Sequence, residues 1–451
     1  MKKKITVTGD SIVMRRGLRT NLPGSNDLYE LVQDSDVAFT NLECLPGNFV
    51  GYPTKESGGA HFGCRDEMLD ELTDFGFNLF SAANNHSLNY GVTGLLEVIK
   101  QMRGRNLAFS GVGEHLDRAQ QPAYLDTANG SVGLLSYSAT FASGHEASAQ
   151  RPDLQGRPGL NPIAFETRYE LDDDSYSALR RIAEDLGLED RRRREIKLGF
   201  EFPPADPADL PFLGGTFIPS TRNCITTRCT PESLENLERW VIETKRRSDV
   251  VIVSIHSHEQ GDDLTDPAEF TIEFARKAIE FGADVVVGHG PHFLRPLEIY
   301  RGKPIFYSLG NFIGQNELVE QLPSDSYKTF RIPGSNTPSQ IFDARTELDT
   351  KGFPSEGWYW RTVIPVLSYD EEDLVTIEIY PVTLDLGQKP QTRGRPRIAQ
   401  GEEGTSILQD FLELSERWGS GIFGGISDGR LTIRPAEVES SHADTDFLAA
   451  R

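Results

Sequence analysis

Five short, apolar, β-branched stretches each run into a residue able to bind a metal ion, and that recurrence narrows the fold of this 451-residue chain more than any other feature. Ile5-Thr6-Val7-Thr8-Gly9 ends on Asp10, and Val37 to Leu42 ends on Glu43. Phe77 to Ala83 leads into Asn84, Asn85 and His86, Val250 to Ile255 ends on His256, and Val285-Val286-Val287-Gly288 ends on His289. Apolar runs of this length without alternation suit strands buried on both faces. Open α/β sheets bind ligands beyond the carboxyl ends of such strands, so one shared site is expected there.

Amphipathic helices are predicted between these strands. Val92, Leu95, Leu96, Ile99 and Met102 follow helical spacing, as do Phe270, Phe274, Ala278 and Ile279. Thr230-Pro231-Glu232 is a helix start, with a hydroxyl cap and proline in the first turn, and that helix feeds the strand ending at His256. Ala123 to Asp126 with Val132 to Tyr137, and Leu294 to Tyr300 with Ile305 to Leu309, read as hairpins, which makes the sheets mixed.

A single domain is expected over 1–435, with its core in 1–142 and 221–320. From about 143 to 220 the pattern weakens around one helix near Tyr176 to Leu186, which reads as an insertion or lid. Arg191 to Arg194, flanked by Glu189, Asp190 and Glu195, reads as a solvated helix face. A polar loop is expected from Phe312 to Glu356, followed over about 355–435 by strands at Trp360 to Leu367 and Leu374 to Val382 and a helix at Ile407 to Arg417. The acidic end, 436–451, is expected to be a poorly ordered tail.

The net charge of -22 argues against binding along a nucleic-acid backbone, though it leaves room for local anion binding. No apolar run approaches the roughly 20 residues of a bilayer span. Met1-Lys2-Lys3-Lys4 is followed by an apolar stretch, Ile5 to Gly9, too short for a signal peptide, so a cytoplasmic protein without a membrane span is expected. Cys44, Cys64, Cys224 and Cys229 form no C-x-x-C pair and read as ordinary thiols. Gly425-Ile426-Ser427-Asp428-Gly429 matches G-x-S-x-G, but no apolar strand precedes it and only His442 follows, so it is set aside.

Asp10, Glu43, Asn85, His86, His256, His289 and His292 remain, with His258 and Glu259 close by in sequence. Carboxylates, an amide oxygen and imidazoles together suit one or two borderline divalent ions such as Mn, Zn or Fe. A carboxylate bridging two ions activates water for an in-line displacement, and Glu43 is placed to be that bridge. In Gly288-His289-Gly290-Pro291-His292 both imidazoles, on a turn after an all-valine strand, are expected to face outward.

Gly9-Asp10, Asn41-Leu42-Glu43, Ala83-Asn84-Asn85-His86 with Gly91, His256, Gly288-His289-Gly290-Pro291-His292 and Lys303 to Phe312 occur in one order over about residues 5 to 315. In that order they resemble the CapA/PgsA family, the poly-γ-glutamate capsule synthesis group of the calcineurin-like metallophosphoesterase superfamily. The resemblance implies a four-layer α/β/β/α sandwich and a hydrolase using metal-activated water on a phosphoester or a γ-glutamyl-type acyl or amide bond. A non-catalytic metal-binding component of poly-γ-glutamate synthesis or export is the alternative. Carried over, Asp10, Glu43, Asn85, His256, His289 and His292 are metal ligands and His86 is the catalytic histidine at the leaving group. Asn41, His258, Glu259 and Asn311 are left for supporting or substrate contacts. The implied partner is a small-molecule or peptide-like anionic substrate; homo-oligomerisation is left open. Ile12 stands where the superfamily places a ligand histidine, Glu43 replaces the usual Asp, and His256-Ser257-His258 replaces H-W-G.

Overall fold

The computed structural model describes residues 2–416, 418 and 424–435, so the tail expected over 436–451 and its His442 lie outside the described residues. The chain divides into two compact units. The first comprises 1–163, 235–267 and 275–451 and is mixed α/β. Its larger sheet has Lys2–Ile12 at its centre, parallel to both Val37–Leu42 and Asn311–Gly314 and antiparallel to Arg361–Asp370. Leu79–Ser81 and Ala108–Ser110 extend the parallel side, and Asp373–Thr383 the antiparallel side.

The six-stranded sheet has a parallel middle formed by Gly130–Ser138, Val250–His256, Val285–His289 and Lys303–Leu309. The two expected hairpins close its edges, Ala123–Thr127 against Gly130–Ser138 and Leu294–Tyr300 against Lys303–Leu309.

Side chains alternate along these strands, and the alternation builds the core. Ile5, Val7, Val37 and Phe39 of one sheet share a buried cluster with Val132, Leu134, Val250, Ile252, Val285 and Val287 of the other. The intervening residues face away: Ala38 and Phe80 pack with Leu28 and Val32 of helix Ser25–Gln33 and Leu69, Leu72 and Phe75 of helix Glu67–Phe75. Each fully buried Val, Leu, Ile or Phe contributes roughly 1.5–3 kcal/mol of transfer free energy, so two-sided burial holds the strands rigidly up to their polar ends.

The second unit comprises 164–234 and 268–274. Four strands in the order Leu210–Phe212, Gly215–Pro219, Phe165–Leu171 and Cys224–Cys229 form its sheet, joined by helices Asp173–Asp185 and Leu188–Leu198. The weak sequence pattern here concealed these strands because their residues are only partly buried and carry no apolar run. In Leu188–Leu198 the arginines pair within the helix, Arg191 with Glu195, Arg192 with Glu189 and Arg193 with Asp190, which makes this a self-neutralised face.

One expectation needs correction. The stretch after Phe312 contains the helices Ser324–Thr329 and Pro338–Thr346, the latter started by a Thr337 and Gln340 capping box with proline in its first turn. The Gly425 region forms the hairpin Gly424–Ser427 with Arg430–Ile433, whose turn carries Asp428 and Gly429. All four cysteines are free thiols. Among the described residues no helix is long and apolar enough to cross a membrane.

Candidate metal centre

Strand register assembles the acidic and imidazole side chains. Asp10 stands opposite Asn41 on one side and Asn311 on the other, and His256 stands opposite His289. Glu43 follows directly on the strand Val37–Leu42. Two groups result whose candidate ligand atoms lie within 4.8 Å of one another, Asp10 with His256 and His289, and Glu43 with His258 and His292. His258 thus joins Asp10, Glu43, His256, His289 and His292.

Asp10 is fully buried and held at both oxygens: Oδ1 accepts from Asn41 Nδ2 at 2.8 Å and Oδ2 from the Gly290 amide at 3.0 Å. Asn84 fixes the orientation of Asn41, donating to its Oδ1 at 3.2 Å and to the Leu42 carbonyl at 2.9 Å. His289 Nδ1 lies 3.5 Å from Asp10 Oδ1, and its Nε2 meets Ser254 Oγ at 2.7 Å. His256 Nδ1 is 3.0 Å from His289 Nδ1, while His256 Nε2 is 3.1 Å from His258 Nε2. Each of these nitrogen pairs can share only one proton between two lone pairs.

Glu43 is buried with neither carboxylate oxygen hydrogen-bonded. Its Oε1 lies 3.7 Å from His86 Nε2 and 3.9 Å from His256 Nε2, and its Oε2 lies 3.6 Å from His292 Nδ1. His292 Nδ1 meets Asn311 Oδ1 at 2.9 Å; because Asn311 Nδ2 donates to the Tyr359 carbonyl, the imidazole is the donor and its Nε2 keeps a lone pair. The same reasoning applies to His86, whose Nδ1 donates at 2.9 Å to Asn89 Oδ1, an oxygen that also accepts from the Phe62 amide. His86 Nε2 then presents a lone pair toward Glu43.

The electrostatics follow from burial. Desolvation raises Asp10 to about 7, against the pull of its hydrogen bonds from Asn41 and Gly290. Glu43 is raised well above the usual carboxylate range by burial and by the neighbouring Asp10 charge. The imidazoles move the other way: burial lowers His86, His289 and His292 to about 3 and His258 to about 4, and holds His256 well below its ordinary value. Two carboxylates that resist ionising and five imidazoles that resist protonation, with two acid oxygens unpartnered, form a donor set that fits a divalent cation. A cation would reverse both carboxylate shifts by supplying the missing counter-charge.

Other expected residues take different places. The Asn85 amide is buried with no hydrogen-bond partner, and its Nδ2 lies 2.3 Å from where a side chain on Gly58 would begin. Glu259 Oε2 accepts from Thr140 and Ser257, and Thr140 Oγ1 accepts from the His258 amide, so Glu259 braces the loop that carries His258. The buried Arg295 guanidinium donates to the Glu259 carbonyl at 2.7 Å from the other side. Of the two histidines expected to face outward, His292 keeps partial exposure, whereas His289 is buried because Val250–His256 pairs alongside it. His292 adopts a φ of 69°, uncommon for a residue other than glycine, and Gly290 at 121° makes the turn between the two histidines. Ile12, two residues after Asp10, is 1% exposed in the apolar core.

In this mixed α/β unit, buried carboxylates and imidazoles converge at parallel strand ends in two groups that could hold a metal ion. The profile of the bacterial capsule synthesis protein PGA_cap family matches residues 4–316, and the chain belongs to that family. It is 32% identical to the "Uncharacterized protein y4sH" of Sinorhizobium fredii over 93% of this chain and 90% of the relative. It is also 25% identical to the "PGA biosynthesis protein CapA" of Bacillus subtilis, over 65% of this chain and 58% of that protein. The "Capsule biosynthesis protein CapA" of Bacillus anthracis is 23% identical over 69% and 60% respectively. The NAD nucleotidase structure of Haemophilus influenzae superposes over 92% of this chain and 56% of its own with 10% identity and a TM-score of 0.34, a level from which nothing about function follows.

Proposed function

We propose that this chain is a CapA-like, divalent-metal-dependent hydrolase acting on a phosphoester or a related γ-glutamyl-type acyl or amide bond of an anionic substrate. The observation that carries this reading is the pair of acid and imidazole groups around Glu43, whose buried carboxylate has two unpartnered oxygens. Asp10, His256 and His289 would hold one ion; Glu43, His258 and His292 face a second position, and Asn85 adds a buried amide close by in sequence to His86. Bound there, a divalent ion supplies Lewis-acid polarisation of the scissile group and a lowered pKa for water. The chain's own residues orient and exclude: Asn41 and Gly290 hold Asp10, Ser254 holds His289, and Asn311 holds His292. His86, oriented by its Nδ1 bond to Asn89 Oδ1, would take at Nε2 the proton that the attacking water loses and deliver it to the leaving atom.

The test joins elemental analysis of the purified protein to a panel of phosphomonoesters, phosphodiesters and γ-glutamyl peptides. Near-stoichiometric Mn, Zn or Fe with metal-dependent turnover of one class supports the reading; full activity after chelation overturns it. A second reading, a non-catalytic component of poly-γ-glutamate synthesis, draws on Ile12, because a buried aliphatic side chain at that position removes a ligand. Bound metal without turnover of any substrate in the panel would favour it. We place the protein in the cytoplasm and its specificity in the insertion over about 143–220, and treat 1–435 as one domain.

A further inference from the structure

Several arginines of the chain are already neutralised by carboxylates. Arg151 pairs with Asp153, Arg157 with Glu146 and Arg168 with Glu166. Arg393 is clamped between Glu317 and Asp349. Arg345, on helix Pro338–Thr346, differs. Among the described residues its guanidinium has no carboxylate partner, and its recorded contact is with the Phe330 ring, 5.7 Å from the centroid.

Its position relates it to the metal centre. Arg345 Nη2 stands 4.0 Å from where a side chain on Gly59 would begin, and the adjacent Gly58 abuts the unpartnered amide of Asn85 at 2.3 Å. The Gly58-Gly59 backbone therefore runs between a buried amide that lacks a partner and a guanidinium that lacks an anion. Gly58 and Gly59 are themselves exposed, so the backbone between the two groups is open to a ligand from solvent, while the Asn85 amide fills the place a Gly58 side chain would take.

We infer that Arg345 is the anchor of an oxyanion subsite: it binds a carboxylate or phosphate group of the substrate, with the Gly58-Gly59 strip bridging that group to Asn85 and the metal centre. The inference rests on the proposed hydrolase site for what lies at the far end of the ligand, but binding at Arg345 does not require turnover. A planar guanidinium recognises either oxyanion through two parallel hydrogen bonds, which a lysine cannot reproduce.

The test measures dissociation constants of inorganic phosphate and of γ-glutamylglutamate, separately, for the metal-loaded full chain and for Arg345→Ala and Arg345→Lys, with metal content determined in each. Arg345→Ala is expected to weaken the bound probe by at least tenfold at unchanged metal content, and Arg345→Lys to recover only part of the loss. Binding of phosphate alone assigns the subsite to phosphoesters, and binding of the dipeptide alone to carboxylates. Affinities within twofold of the parent in Arg345→Ala overturn the inference, as does a parent chain that binds neither probe. Arg345-dependent binding without hydrolysis of any substrate would refute the hydrolase and leave the subsite standing.

Discussion

His256 and His289 face each other in register across two parallel strands with their Nδ1 atoms 3.0 Å apart. Neutral imidazoles tolerate this approach only if one nitrogen donates to the other, so the metal-free protein holds a proton where a cation would sit. Replacing either histidine by alanine should reduce bound metal to under about a tenth of the parent stoichiometry, measured by elemental analysis, while a cooperative melting transition persists. Ser254→Ala, which removes the 2.7 Å contact to His289 Nε2, should weaken metal affinity by roughly 10- to 100-fold. Parent-like metal content in both histidine variants would disprove the assignment.

Metal uptake should release protons. Asp10 titrates at about 7 and Glu43 well above the carboxylate range, so both carry protons that a metal must displace at mildly acid pH. Affinity is expected to rise steeply from about pH 6 to 8. Calorimetry in buffers of different ionisation enthalpy would count the protons, and a flat affinity over that interval would show that Asp10 and Glu43 are not ligands.

The metal-free protein should lose stability on acidification from pH 6.5 toward 5. A histidine whose folded pKa is depressed stabilises above the unfolded value and loses that contribution as pH falls, and His86, His256, His258, His289 and His292 all behave this way. Asp10 and Glu43, raised by burial, oppose them, since their contribution is present at low pH and lost as pH rises toward the folded pKa, about 7 for Asp10. Five groups against two leave a net proton uptake on unfolding that grows toward about three as the pH falls toward 5. Urea midpoints at pH 6.5, 6.0 and 5.5 should fall in that order, and constancy would contradict the neutral imidazole cluster.

Gly9→Ala should destabilise the chain and disturb Asp10 together. A side chain there would begin 2.0 Å from the Gly310 carbonyl oxygen, the same atom that accepts the Asp10 amide at 2.8 Å. A cost of about 1–3 kcal/mol, typical of overpacking, is expected from denaturant titration, with reduced metal content. Unchanged stability would mean that the strand crossing is looser than the structure shows.

Much of the centre was legible because strand exits are local patterns. Asp10, Glu43, His256 and His289 each end an apolar run, and strands buried on both faces must stop where a polar side chain needs partners. The Pro338–Thr346 helix was missed despite its Thr-Pro start, because a long polar neighbourhood outweighed a short cap. Arg345 gave no signal at all: an isolated arginine on a helix carries no local mark of what lies across from it.

By itself the sequence determined which segments become buried strands and which polar residues close them, since two-sided apolar burial and turn chemistry depend on near neighbours. Only the tertiary structure decided that His289 is buried rather than outward, that Glu259 braces a loop, and that Glu43 is left without a hydrogen-bond partner. Desolvation is the reason. It depends on everything packed around a group, and residues as far apart in the chain as Asp10 and Gly290 set it jointly.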